Sequence, residues 1–256
     1  MSRVISISNH KGGVGKTTSV VNIGAGLAYK GRKVLLIDLD PQANLTISMG
    51  VSESEHSLYD AFTNEQNLQP VNVKKNLDII PSSSELAAAE IELNTETNQE
   101  SNIAKLIEPL RNNYDYIIID CPPSLGLLTL NAFAASDEVI IPIQPHFLAV
   151  KGLAKIIEVV NNIKLNINKK VEISAVFAVM YDKRKILHKD VLDTIIMYFD
   201  DRVLNTKVRE NIALAEAPAT GQDIFEYAPE SNGAFDYRRI VNEIIEMEDK
   251  FGNKSE

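Results

Sequence analysis

Short apolar runs alternate with longer amphipathic segments along most of this chain. Several of the apolar runs are continuous and β-branched, which is typical of strands buried on both faces of a parallel sheet. They predict strands near Val4–Ser8, Lys33–Leu39, Leu77–Pro81, Tyr116–Asp120, Glu138–Pro142 and Glu172–Val179, with a shorter one near Arg202–Asn205. The longer segments predict helices over Lys16–Tyr29, Ser84–Leu93, Asn102–Arg111, Gly126–Ala135, Ala149–Ile163, Lys189–Phe199 and Asn232–Lys250. Thr95–Ser101 is polar and is predicted to be a mobile loop.

This order of elements predicts an α/β fold with a mostly parallel, twisted sheet and helices on both of its faces. No segment has the composition of a linker, so we expect residues 1–256 to form a single domain. In folds whose parallel strands are joined by right-handed crossovers, the ligand binds at the carboxyl ends of the strands. The residues that follow each strand are therefore the first candidates for chemistry.

A glycine-rich run follows the first predicted strand and precedes the first predicted helix. Glycines let the backbone turn tightly so that several N–H groups face one anion, and the next helix points its positive end at the same place. Lys16 can reach the β- and γ-phosphates of a nucleotide, and the Thr17 hydroxyl can hold Mg²⁺. The predicted nucleotide-binding residues are Lys11, Gly12, Gly13, Val14, Gly15, Lys16, Thr17 and Thr18. The run predicts a P-loop NTPase that binds a nucleoside triphosphate.

The run departs from the general P-loop pattern in one respect. That pattern places a glycine five positions before Gly15, where this chain has His10. Lys11 adds a second lysine at the start of the loop. Charge that develops on a transferred phosphate needs an extra cation, as an arginine finger supplies elsewhere. Lys11 is the candidate for that cation.

Two further predicted strands end in carboxylates. Asp38 and Asp40 are two residues apart, so they point to the same side of an extended chain. One can orient an attacking water while the other helps to hold the Mg²⁺ shell, and the alternative is a turn-forming aspartate before Pro41. Asp120 ends a buried strand in the form of a Walker B motif and can reach Mg²⁺ through water, with the same alternative. The predicted magnesium residues are Thr17, Asp38 and Asp120.

The amino-acid composition restricts the class of protein further. A net charge of −9 argues against a surface that is basic all round, so any contact with nucleic acid needs a local basic patch. Cys121 is the only cysteine, which excludes a disulfide within the chain and is in keeping with a reducing cytoplasm. No run approaches the roughly 20 apolar residues of a membrane span, and the histidines show no metal-ligand spacing. We expect no membrane association.

Four motifs together resemble the ParA/Soj family of deviant-Walker ATPases, which are relatives of MinD. They are Lys11–Thr18, Asp38–Gln42, Asp120–Pro123 and Leu214–Pro218, and the resemblance runs from Val4 to about Ile245. It implies that the cofactors are ATP and Mg²⁺ and that ATP is held between the two subunits of a homodimer. In that family the loop-leading lysine, here Lys11, crosses to the partner's phosphates, and the second aspartate, here Asp40, is tied to hydrolysis. The implied catalytic residues are Lys11, Lys16 and Asp40.

The resemblance also implies partners. In the family, the ATP-bound dimer binds double-stranded DNA without sequence preference. A ParB-type centromere-binding protein stimulates hydrolysis and so drives the segregation of a plasmid or chromosome. The implied location is cytoplasmic and associated with the nucleoid.

A basic cluster provides the candidate DNA surface. Its predicted DNA-binding residues are Lys183, Arg184, Lys185, Lys189 and Arg209. Clustered lysine and arginine without interleaved aromatic residues suit contact with the phosphate backbone, although a solvated helix start is the alternative. Close chromosomal relatives usually have an arginine where this chain has Ala213, and Arg209 is the candidate to replace it.

Three other functions use the same loop. A MinD-like membrane-cycling ATPase needs a basic amphipathic C-terminal helix, whereas Asn242–Lys250 is amphipathic and acidic. An electron-transfer protein that shares a cluster between subunits needs two cysteines per chain. A synthetase that transfers a phosphoryl group to a small molecule needs a substrate pocket, and the sequence shows no sign of one.

Overall fold

Seven strands form one sheet at the centre of the fold. The computed structural model describes residues 2–52, 58–63, 67–88 and 102–248. The strands are β1 Arg3–Ile7, β2 Val34–Asp38, β3 Val71–Lys74, β4 Leu77–Ile80, β5 Tyr116–Asp120, β6 Glu138–Ile143 and β7 Glu172–Ala178. Their order across the sheet is β3-β4-β2-β5-β1-β6-β7, and every neighbouring pair is parallel except β3 with β4. The prediction of a mostly parallel sheet is confirmed.

Helices connect the parallel strands. They are α1 Lys16–Tyr29, α2 Asn44–Ser48, α3 Leu58–Thr63, α4 Asn102–Ile107, α5 Leu127–Ala135, α6 Ala149–Asn166, α7 Ile186–Phe199, α8 Ala213–Glu216, α9 Ile224–Tyr227 and α10 Asn232–Glu246. Two large clusters of buried apolar side chains separate the sheet from these helices. Helix α1 packs beside α10 in one cluster, whereas α5 and α6 contribute to the other. Both faces of the sheet are therefore covered, as the unbroken apolar strands predict.

The central strands bring the predicted chemistry together. β5 lies between β1 and β2, and Asp120 is in register with both Ile7 and Asp38. The glycine-rich loop leaves the same end of β1. The carboxyl ends of these three strands therefore converge on one edge of the sheet.

The strand predicted near Arg202–Asn205 is wrong. Asp200–Arg202 form a 3₁₀ turn, and Val203 makes only an isolated bridge with Val176 of β7. This segment follows the edge of the sheet through two backbone bonds, in which Leu204 N–H donates to Val176 and Val208 N–H donates to Ala178. A strand that the sequence analysis missed lies at the other edge. Val71–Lys74 pair antiparallel with β4 through a tight turn in which Asn76 has φ 64°.

Several predicted helix ends differ from the structure. The helix from Asn102 ends at Ile107 and continues as a 3₁₀ turn at Glu108–Leu110, because Pro109 has no N–H to continue the helical hydrogen bonds. Helix α6 runs past Ile163 to Asn166. Of the helix predicted over 84–93, only Leu86–Ala88 are described as helical, and its remainder lies outside the described residues, as do the loop predicted at 95–101 and the last residues of the C-terminal helix.

Candidate functional site

The glycine-rich loop forms an open cradle between β1 and α1. Gly13 and Gly15 have φ 72° and 73°, in the left-handed region that glycine adopts without steric cost. A Cβ atom built on Gly12, Gly13 or Gly15 would meet no atom within 4 Å, so space is open above the loop. Gly15 precedes α1 and gives its first turn no side-chain cap. The uncapped N–H groups at this helix start are available to an anion.

The Lys16 side chain lies beneath the loop that forms the cradle. Its side chain is buried, and its ammonium donates a hydrogen bond to the carbonyl of Lys11, 3.2 Å away. Burial lowers the pKa of Lys16, while the nearby carboxylates of Asp120 and Asp40 oppose that shift. The ammonium therefore lies beside both the loop backbone and the acidic residues of the neighbouring strands.

Thr17 and Asp120 meet at the centre of the site. The Thr17 hydroxyl donates to Oδ2 of Asp120 over 2.6 Å, which joins the start of α1 to the end of β5. Asp120 is fully buried, and its Oδ1 has no hydrogen-bond partner among the described residues. Burial and the neighbouring Asp38 raise the pKa of Asp120 well above its usual range. A buried carboxylate oxygen without a donor is costly unless a cation or its bound water satisfies it, so this pair fits the coordination shell of Mg²⁺.

Asp38 is held within a closed network. Its Oδ2 accepts from both the N–H and the hydroxyl of Thr46, at 2.8 and 2.7 Å, and its Oδ1 accepts from the N–H of Asp40 at 3.2 Å. Burial raises the pKa of Asp38 to about 6, although the hydrogen bonds from Thr46 act in the opposite direction. Each oxygen of Asp38 thus has a protein donor, in contrast to Oδ1 of Asp120. Thr46 belongs to no sequence motif. Only the fold, in which α2 carries Thr46, shows that it contacts Asp38 at the end of β2.

Asp40 lies one turn beyond the end of β2. Its Oδ1 accepts from the N–H of Gln42 at 3.0 Å, so it forms the turn that was the alternative interpretation of this aspartate. Its other oxygen remains available to a ligand, and Asp40 is near enough to influence both Lys16 and Asp120. The turn and a role at the phosphates are therefore compatible.

Lys11 begins the loop, and its ammonium has a different partner from that of Lys16. Its N–H donates to Asn9 Oδ1, and Asn9 Nδ2 donates in turn to the carbonyl of Pro142 at the end of β6. The Lys11 ammonium contacts Nε2 of His146, just before α6. The side chain lines a cavity of about 300 Å³ between the loop and α6. The sequence analysis assigned no role to His146 or Asn9.

A second cavity adjoins the start of α1. It has a volume of about 360 Å³ and is lined mainly by apolar atoms, with Gly15 and Thr18 on one side and Val208 and Leu214 on the other. Met180, which follows β7, also lines it and has φ 51°, an uncommon conformation for a residue other than glycine. A flat apolar group fits in this cavity, beside the phosphate cradle.

The predicted DNA-binding residues fall into two groups. Lys183, Arg184 and Arg209 line a groove of about 710 Å³, whereas Lys185 and Lys189 are exposed at the start of α7, outside the lining of that groove. Lys207 and Arg239, which belong to the same series of basic residues in the sequence, also line the groove. The groove is therefore rich in basic residues, and Asp182, Glu210 and Asp236 also line it.

Two of these arginines are paired within the chain. Arg184 makes a two-point contact with Asp182, at 3.0 and 2.9 Å, and both residues are near the surface. Arg209 makes a two-point contact with the buried Asp236, at 2.9 and 2.7 Å. Ala213 is buried at the start of α8, so it presents no polar group to the groove.

The strand–loop–helix cradle and the Thr17–Asp120 pair define the class of P-loop ATPases. The AAA_31 family, described as an AAA domain, matches residues 2–173, and the chain belongs to this family. It is 42% identical over 249 residues to the sporulation initiation inhibitor protein Soj of Bacillus subtilis, covering 95% of this chain and 98% of that one. It is 38% identical to the chromosome-partitioning ATPase Soj of Treponema pallidum, covering 96% and 98%. The chain is a member of the ParA/Soj family.

A solved structure gives the same fold. Cobyrinic acid a,c-diamide synthase from Mycobacterium smegmatis, with a bound ATP analogue and magnesium, superimposes with a TM-score of 0.84 at 30% identity, covering 98% of this chain and 97% of that one. The predictions of the fold class, the family, the ATPase class and the cofactors ATP and Mg²⁺ are confirmed. In the described residues, no helix combines the length and the apolar character needed to cross a membrane.

Proposed function

We propose that this chain is a ParA-type partitioning ATPase, in which Mg²⁺-ATP drives a homodimer that binds double-stranded DNA without sequence preference. Hydrolysis, stimulated by a ParB-type centromere-binding protein, releases the dimer and so segregates a plasmid or chromosome at the nucleoid. The observation that carries the proposal is the buried, unpartnered Oδ1 of Asp120 beside the Thr17 hydroxyl, in a chain 42% identical to Soj. We also propose that residues 1–256 act as one domain.

The nucleotide is held by groups that already face the open cradle. The loop N–H groups and the Lys16 ammonium bind the phosphates, and the apolar cavity beside Gly15 and Thr18 accepts the base. Thr17 and Asp120 hold the magnesium, whose charge stabilises the transferred phosphoryl group when it is bound. We assign Asp38, the third predicted magnesium residue, a supporting role at this site, because Thr46 and the Asp40 N–H already donate to its two carboxylate oxygens.

Hydrolysis is assigned to Asp40 and to the two lysines. Asp40 has one carboxylate oxygen outside its turn, and that oxygen can orient the attacking water. Lys16 stabilises the phosphates of its own nucleotide. The Lys11 ammonium contacts His146, whereas the Lys16 ammonium donates to the loop backbone, and this difference supports a role for Lys11 at the phosphates held by the second subunit.

The DNA surface is assigned to the basic groove and the adjoining start of α7. Lys183 and Lys207 have no carboxylate partner within 4 Å among the described residues, so they are available to phosphates. Arg184 and Arg209 can contact DNA with the donors that Asp182 and Asp236 leave unused, since a guanidinium has five N–H groups. A dimer presents two such surfaces, so weak contacts become additive.

The nucleotide half of the proposal is tested by comparing two variants. We expect Lys16→Ala to abolish binding of a fluorescent ATP analogue, since the ground-state phosphates lose their buried cation. Asp40→Ala should bind the analogue with wild-type affinity but release little phosphate, because it lacks the group that orients water. Full hydrolysis by Asp40→Ala would remove Asp40 from the mechanism.

The DNA half is tested by gel-shift titration with two unrelated duplexes at several salt concentrations. We expect ATP-dependent binding of both duplexes with similar affinity. Lys183→Glu should weaken binding. The slope of log affinity against log salt concentration should become shallower by about one for each subunit that contacts the DNA. Lys30→Glu, an equal change of charge at the far end of α1, is the matched control. If wild type with ATP binds neither duplex, the partitioning function is wrong.

A further inference from the structure

The cavity beside Lys11 is lined by basic groups and contains no carboxylate. Its charged or titratable lining residues are His10, Lys11, His146, Lys151 and Lys155. No carboxylate of the described residues lies within 4 Å of these three lysines. In a chain with a net charge of −9, so many unpaired cations on one wall indicate a surface built to face an anion.

Within this wall, the Lys11 ammonium is fixed by a neutral partner. It contacts Nε2 of His146, and an ammonium can only donate, so the imidazole must be unprotonated at Nε2. Burial and the charge of Lys11 both lower the pKa of His146, which favours that neutral form. A carboxylate in the same place would also hold Lys11 but would cancel its charge. A neutral imidazole holds the cation and leaves its charge intact.

The backbone around this contact is also fixed. Asn9 joins the N–H of Lys11 to the end of β6, and the N–H of Ala149 donates to the carbonyl of His146 at the start of α6. A Cβ built on Gly152 would lie 2.4 Å from Cε1 of His10, so α6 packs directly against the start of the loop. The two partners of the Lys11–His146 contact therefore lie on elements that are already held together.

We propose that His146 is a positioning residue for Lys11, which it holds, fully charged, in the direction of phosphates carried by a second copy of the chain. This inference rests on the proposed function of Lys11 in the ATP-bound dimer. A free lysine must lose the freedom of its long side chain when it binds a phosphate, and a side chain that is already held loses less. His146 therefore contributes to dimer formation and not to nucleotide binding by one subunit.

The arrangement makes dimer formation depend on pH. Protonated His146 cannot accept from Lys11 and repels it, so the contact is lost as the pH falls through the pKa of His146. The other groups that face His146 are His188 at the start of α7, His10 in the loop, and Lys151 and Lys155 on α6, and all of them are basic. As basic groups, they do not favour protonation of His146.

The test compares the dimer dissociation constant of full-length His146→Ala and His146→Gln with wild type in Mg²⁺-ATP, in an Asp40→Ala background that prevents turnover. Loss of about threefold at each of two Lys11 sites predicts roughly tenfold weaker dimerisation for His146→Ala at pH 8. His146→Gln, whose amide oxygen accepts at any pH, should dimerise with near wild-type affinity at pH 8 and should not weaken between pH 8 and pH 5.5 as wild type does.

Two controls identify the cause of any change. The affinity of each variant for Mg²⁺-ADP should stay within twofold of wild type, which also shows that it is folded. In a Lys11→Ala background, His146→Ala should have no further effect on dimerisation. Unchanged dimerisation of His146→Ala, or the same pH profile for His146→Gln as for wild type, would overturn the role of His146 while leaving the proposed function intact. If wild type forms no dimer with Mg²⁺-ATP at any pH, the proposed function fails, and this inference fails with it.

Discussion

Replacement of Thr46 by valine tests whether the Asp38 network supports the site. Thr46 is 2% exposed, and its hydroxyl donates to Asp38 Oδ2 over 2.7 Å while it accepts the N–H of Ser82 at 3.0 Å. Valine has nearly the same shape but has no hydroxyl. Loss of a hydrogen bond to a charged group costs about 1.5–3 kcal/mol, and an unsatisfied buried N–H costs about 1–3 kcal/mol. We therefore expect Thr46→Val to lower the free energy of unfolding by about 2.5–6 kcal/mol.

Thr46→Ser is the matched control, because it keeps both hydrogen bonds and loses only one buried methyl group, at about 1 kcal/mol. The assay is urea denaturation of both variants and wild type at pH 7.5, followed by circular dichroism. The valine variant should be clearly less stable than the serine variant. Equal stability of the two would show that the hydroxyl contributes nothing and would refute the assignment of Thr46 as the group that fixes Asp38.

Three other outcomes follow from buried groups near the site. Gly152→Ala should weaken nucleotide binding in a titration with a fluorescent ATP analogue while the protein stays folded, because its Cβ would displace the His10 ring at the start of the loop; wild-type affinity would contradict the close approach. Because the pKa of Asp38 is raised to about 6, the folded protein retains a proton between about pH 4 and 6 that the unfolded chain has lost. The free energy of unfolding should therefore fall by up to about 3 kcal/mol as the pH rises from about 4 to 6. Urea titrations of Asp38→Asn should not show this fall. Cys121 is fully buried, and its thiol pKa is raised to about 12, so Ellman's reagent should label it only after unfolding; rapid labelling of native protein would place it at the surface.

The sequence located the phosphate cradle because each of its parts is local. Gly13, Gly15, Lys16 and Thr17 lie within five residues, and their spacing alone predicts a turn, a helix start and a cation. Asp120 is separated from Thr17 by 103 residues, yet it could be predicted because a carboxylate at the end of a buried strand must lie at the carboxyl edge of a parallel sheet.

The partners of these residues could not be predicted in the same way. Thr46 and His146 contact Asp38 and Lys11 through packing between elements, and no spacing in the sequence relates them. The ion pair of Arg209 with Asp236 joins the sheet edge to α10 and likewise has no local signal. The strand at Val71–Lys74 was missed because its alternation of apolar and polar residues extends over only four residues, which is the shortest run that indicates a strand.

The most direct test of the ATP-driven dimer is multi-angle light scattering of the Asp40→Ala protein with Mg²⁺-ATP, compared with Mg²⁺-ADP and with Lys16→Ala. Lys11 lines the basic cavity beside α6, and we propose that its ammonium reaches the terminal phosphate of a nucleotide held by a second copy, so a nucleotide with that phosphate should bring two copies together. We expect twice the monomer mass for Asp40→Ala with Mg²⁺-ATP, and the monomer mass with Mg²⁺-ADP or for Lys16→Ala with either nucleotide. A monomer mass for Asp40→Ala with Mg²⁺-ATP, or a dimer that forms without nucleotide, would contradict the proposed function.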